Sequence, residues 1–203
     1  MRKWFEDRLP TAPEHPVTAV VGIDPADSGQ GDETGIIGAV LAEDGTVVLA
    51  EDWSARFTAD EWSRQAVWLA LRLNAREIAL EAYSAADTYV AVVKRAWKDI
   101  HQEVTEKRAD GAQLTWIEQR ALTPQMPFMV RKWRAAGTGD PVGRSSLLRQ
   151  ACETGRCKVV EHKLSVFVDQ AADWQAGQHQ PDRVSAAIVA HDRLASLGSG
   201  RLT

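Results

Sequence analysis

Cysteine is nearly missing from this sequence: Cys152 and Cys157 are the only two in 203 residues, too few for a disulfide framework. Neither belongs to a CxxC pair and no HxxxH accompanies them, so a zinc site is not expected and both are read as small buried side chains. No apolar run approaches the roughly 18 to 20 residues needed to cross a bilayer, so neither a membrane span nor a membrane partner is expected. Met1 to Phe5 carries charge and no apolar stretch follows, which argues against a secretory signal and for a reducing, cytoplasmic setting. No internal repeat is visible. With 44% hydrophobic and 26% charged residues, the composition is that of one globular domain with a core of its own.

The chain has a net charge of −4, which opposes nucleic-acid binding by bulk electrostatics. The charge is uneven, however. Residues 1–93 hold 7 basic against 16 acidic side chains, residues 94–158 hold 13 against 7, and residues 159–203 hold 4 against 5. The middle third is basic enough for a local phosphate-facing surface.

Pro10, Pro13 and Pro16 mark residues 1–16 as an arm or linker, leaving residues 17–203 as the folded domain. From Val17, a near-continuous apolar run ending at Asp24 reads as a strand buried on both faces. Residues 36–41 and 47–53, joined by the turn at Glu43–Thr46, read as a hairpin. Thr58 and Glu61 form a capping box that opens a helix over 59–73. A short strand at 77–82 and a helix at about 85–103 follow. The stretch 103–125 is read as an insertion. Beyond it a strand at 128–133, a helix at 143–154 stopped by Gly155, a strand at 157–160 and helices at 164–174 and 182–197 complete the chain.

This order, three antiparallel strands followed by alternating helices and strands, resembles the ribonuclease H-like fold: a mixed sheet with helices on both faces. That architecture requires acids at three places, and all three are filled. Asp24 ends the first long strand, Glu81 ends the 77–82 strand, and Asp182 opens the last helix. An acid at the end of an apolar strand is disfavoured as a charge by desolvation and needs a cation or hydrogen bonds to offset this. Two hard divalent ions, Mg²⁺ or Mn²⁺, accept oxygen ligands and would meet that need.

Gly22-Ile23-Asp24-Pro25-Ala26 followed by Gly31-Asp32-Glu33-Thr34-Gly35-Ile36 resembles the first motif of the nuclease domain of phage terminase large subunits. Leu80-Glu81-Ala82 is similar to the second motif, Gln178-His179-Gln180-Pro181-Asp182-Arg183-Val184 to the third, and Gly155-Arg156-Cys157-Lys158-Val159 to the segment before it. The resemblance implies a two-metal endonuclease cutting double-stranded DNA with little sequence preference, with Asp24 shared by both metals and Glu81 and Asp182 each ligating one. It also implies an ATPase domain or subunit and the portal machinery as partners, and the host bacterial cytoplasm as the location.

His179 stands three residues before Asp182, as a metal or phosphate contact or as a solvated loop histidine. Asp27, Asp32 and Glu33 are further acids near Asp24. Relatives often carry an acid where this chain has Ser185, so a weaker hold on the second metal is expected. Candidate phosphate contacts are Lys94, Arg95, Lys98, Arg131, Lys132, Arg134, Arg144 and Arg149. The eight tryptophans are read as core residues rather than base-stacking platforms.

The GxxxxGK[ST] loop of an ATPase is not found, so the chain is expected to be the nuclease part alone. The alternatives are another ribonuclease H-like nuclease such as a Holliday-junction resolvase, an actin- or sugar-kinase-like nucleotide-binding domain using Gly29 and Gly31, and a docking module in which the acids only cap helices.

Overall fold

The computed structural model describes residues 5, 8–25, 33–81, 85–134, 140–175 and 177–199. Its centre is β2 (Thr18–Asp24), β3 (Gly35–Leu41) and β4 (Val47–Asp52), an antiparallel meander. Val20, Val21 and Ile23 are fully buried, as a run apolar on both pleat faces requires. β5 (Glu77–Glu81) pairs parallel to β2, and β6 (Met129–Trp133) parallel to β5. On the other side β7 (Cys157–Val160) pairs parallel to β4, and β1 (Arg8–Leu9) parallel to β7. The order across the sheet is β1-β7-β4-β3-β2-β5-β6, a ribonuclease H-like mixed sheet as expected.

Helices cover both faces. On one, α1 (Ala59–Leu73) packs on β2 and β3, α2 (Ala86–Ala109) packs on α1, and α3 (Trp116–Ala121) closes against both helices. On the other, α6 (Asp182–Ser199) lies over β2 and β3, flanked by α4 (Pro141–Glu153) and α5 (Ser165–Asp173). Two glycines let α6 approach the sheet. A Cβ on Gly22 would collide with the Ala186 carbonyl oxygen, and one on Gly35 with the Asp182 carbonyl. The helix presents Ala186, Ala187 and Ala190 in return, all fully buried.

Three features depart from expectation. The helix expected to stop near 103 runs to Ala109, because Ile100 and Val104 continue its buried stripe. Part of the expected insertion is α3, opened by a capping box in which Glu118 N donates to Thr115 Oγ1 at 3.2 Å and Thr115 N donates to Glu118 at 2.7 Å. That Thr-x-x-Glu pattern is the same one that announces α1. Finally, the N-terminal segment supplies the edge strand β1 and buries Phe5 edge-to-face on Phe167. Cys152 and Cys157 are free and buried, as anticipated.

Candidate active site

Sheet register brings the first two acids together. Gly22 pairs with Ala79 and Ile23 with Leu80, so one residue further Asp24 and Glu81 stand side by side on the same face. That face is the one α6 covers, since Asp24 is directly opposite Gly35, the residue on which the Asp182 backbone rests. The first turn of α6 thereby reaches Asp24. Asp182 is close enough to repel its charge, and the Ser185 hydroxyl hydrogen-bonds to it.

The electrostatics follow from this packing. The Asp24 carboxyl is pushed up from 3.8 to about 8, chiefly by burial, then by repulsion from Glu81 and Asp182, with the Ser185 hydrogen bond and Arg144 opposing the rise. Glu81 is only 6% exposed and receives the Arg144 guanidinium from α4 at 2.6 Å. Ser185 Oγ lies 3.2 Å from Gln180 Oε1, so its one hydrogen is shared between Asp24 and Gln180, and Gln180 Nε2 reaches the Pro141 carbonyl at 3.4 Å, tying the start of α4 to the site.

Among the described residues no group of three or more acidic, histidine or cysteine side chains is placed to hold a metal ion as it stands. The donor chemistry nevertheless suits hard divalent ions: the acceptors are carboxylate oxygens, and burial first, then repulsion from Glu81 and Asp182, disfavours the Asp24 charge in the absence of a cation.

The other candidates fall in several places. His179 is exposed and lines a cleft of about 550 Å³ with Asp169, Asp173 and Trp174 of the α5 region, a cleft that includes none of Asp24, Glu81 and Asp182. Glu33 is bound by Arg183 and by Gln170 Nε2 at 3.3 Å. Asp27 and Asp32, like Gly29 and Gly31, lie outside the described residues.

Of the basic residues, Arg144 is in direct contact with a site carboxylate, Glu81. Lys94, Arg95 and Lys98 are exposed on α2, behind the sheet from α6, with Arg95 3.7 Å from Asp99. On β6, Lys132 turns to Asp87 at 2.7 Å, whereas Arg131 shares the face of Glu81 because it pairs with Ala79. Arg134 follows β6 at the site end of the sheet, and Arg149 pairs with Glu153 at 2.9 Å.

Three contributors were not anticipated. The role of Gly22 and Gly35 could have been suspected from glycine inside strand patterns, a mark of close approach. Arg183, whose side chain is 8% exposed beside Asp182, gives no comparable signal.

No protein-family model and no curated protein matches the chain. Solved structures do match. The nuclease domain of the large terminase subunit of bacterial virus Sf6 aligns with a TM-score of 0.57 at 10% identity, covering 94% of this chain and 96% of that one. The large terminase nuclease of thermophilic phage G20c, solved with bound zinc, aligns with a TM-score of 0.56 at 14% identity, covering 95% of each chain. A variant of the Sf6 domain, solved with manganese, gives 0.55 at 10% identity over 94% and 96%. At these identities the likeness establishes a shared fold.

Proposed function

We propose that the chain is a divalent-metal-dependent endonuclease of the terminase large-subunit type, hydrolysing phosphodiester bonds of double-stranded DNA with little sequence preference. The observation that carries this reading is the convergence of Asp24, Glu81 and Asp182 at one end of the sheet, with a buried Asp24 whose carboxyl is raised to about 8. Such an arrangement is unfavourable unless positive charge is delivered to it.

Asp24, Glu81 and Asp182 would hold the ions, two of Mg²⁺ or Mn²⁺, which when bound supply Lewis-acid stabilisation of the phosphate and activation of water. The protein's own groups prepare the rest. Asp24 must release its proton on loading, so loading is favoured as pH rises toward 8. Ser185 and Gln180 orient the Asp24 carboxyl. Arg144, at the mouth of the site, and Arg131 and Arg134, toward the β6 edge, would position the phosphate backbone, which fixes register without reading sequence. The fold neighbours being terminase nucleases by name, an ATPase domain or subunit and the portal machinery are the partners this reading implies, in the host cytoplasm.

The test is cleavage of supercoiled and linear plasmid in Mn²⁺ by wild type and Asp24→Asn. Cutting of both substrates by wild type alone supports the reading. Activity confined to four-way junctions would replace it with the resolvase reading, and an active Asp24→Asn protein would overturn it.

A further inference from the structure

Helix α6 carries two arginines ten residues apart, and each reaches a buried carboxylate on a different strand. Toward its C-terminal end Arg193 grips Glu77, at the start of β5, through Nε at 2.5 Å and Nη2 at 3.0 Å. In the first turn Arg183 uses its whole guanidinium. Nε donates to Asp52 Oδ2 at the end of β4 at 2.9 Å, Nη1 pairs with Glu33, and Nη2 donates to the Ser54 carbonyl at 2.9 Å. The Asp52 side chain is itself 6% exposed, and its other oxygen accepts from Ser54 N at 2.9 Å.

Three acceptors in different directions match the rigid planar fork of a guanidinium, and a lysine could reach only part of the set. Arg183 directly follows Asp182, and successive helical residues diverge by about 100° around the axis. Fixing the Arg183 head therefore fixes the rotation of the first turn, and with it the directions of Asp182 and Ser185. The fit over Gly35 sets only the depth of that turn. Arg183 also holds Glu33, the first described residue after the segment that leaves Asp24. One side chain thus joins the end of β4, the return to β3 and the start of α6.

We propose that Arg183 is a positioning residue for the carboxylate site, setting the rotation of α6 so that Asp182 and Ser185 meet Asp24. The proposal rests on reading that site as a metal centre. The experiment is calorimetric Mn²⁺ titration of the folded proteins, well below their melting temperatures, for wild type, Arg183→Met, Arg183→Lys, Glu33→Gln and Glu77→Gln.

Loss of an outer residue that orients ligands weakens metal affinity by about 10- to 100-fold, which is the effect expected for Arg183→Met. Arg183→Lys and Glu33→Gln should fall between it and wild type. Glu77→Gln breaks the equivalent tether at the far end of the helix, and should lower the melting temperature while leaving affinity within about twofold, as expected for a site remote from the ligands. If Arg183→Met does not fold, Arg183→Lys decides. Wild-type Mn²⁺ affinity in a folded Arg183 variant would make the residue merely structural and overturn the proposal. Failure of wild type itself to bind Mn²⁺ would instead overturn the metal reading beneath it.

Discussion

Arg144 on α4 and Glu81 at the end of β5 are 2.6 Å apart, and both side chains are largely buried, at 18% and 6% exposure. The pair joins α4 to the end of the sheet where Asp24 and Asp182 converge, so Arg144 and Asp182 come from the helix layer and Asp24 and Glu81 from the sheet.

Removing one member of a buried ion pair leaves its partner's charge in a desolvated site, at a cost of about 3 to 5 kcal/mol. Arg144→Met and Glu81→Gln are each expected to lower stability, and the double variant to lose less than the sum. Urea unfolding of the four proteins in EDTA measures the coupling, and additive losses within about 0.5 kcal/mol would show that the two side chains do not interact.

Asp24 gives a pH signature. Its carboxyl is raised from 3.8 to about 8, so between those values the folded protein keeps a proton that the unfolded chain has released. Stability should therefore fall as pH rises from about 4 to 8 and level off above. Asp24→Asn abolishes that dependence and should be more stable than wild type at pH 8, on the order of a few kcal/mol, with the difference vanishing near pH 4. Thermal unfolding in EDTA across that range is the check, and a wild type no less stable than the variant at pH 8 contradicts the assignment.

Ser185 is buried and hydrogen-bonds to Asp24. Ser185→Asp adds a fourth carboxylate there. The metal-free protein should lose stability through added repulsion, while the Mn²⁺ midpoint of plasmid nicking should drop about tenfold because ligand charge tunes affinity for hard ions. Wild type should need millimolar metal and prefer Mn²⁺ to Mg²⁺. An unchanged or higher midpoint in Ser185→Asp would mean that the new carboxylate does not reach the ions.

Gly35→Ala puts a methyl group against the Asp182 carbonyl. Because the obstacle is backbone, the first turn of α6 must shift, so metal affinity should fall by more than tenfold, with a smaller loss of melting temperature than Gly22→Ala, which wedges the middle of the helix. Calorimetry and thermal unfolding of the two variants provide the comparison.

The periodicities and caps that define α1, β2 to β5 and α6 are local, and the sequence carries them openly: the Thr58/Glu61 box, the two-faced apolar run before Asp24, the acids at strand ends. The strand-end places of Asp24 and Glu81 and the helix-start place of Asp182 are legible in the same way, while their grouping as one site is an expectation from the family resemblance. α3 was equally legible, in the Thr115/Glu118 box, within a stretch otherwise too polar to show a buried face.

Tertiary structure alone decided which charges meet. Arg144 finds Glu81 across 63 residues of sequence, and Arg183 finds Asp52 and Glu33 across 131 and 150. His179 goes to the α5 cleft, and Lys94, Arg95 and Lys98 to the far face of the sheet. An arginine among mixed helices looks the same in sequence whether it ends in water or in a core. Its partner is set by how the helices pack on the sheet, and for α6 the depth of that packing depends on where two strand glycines allow the helix to rest.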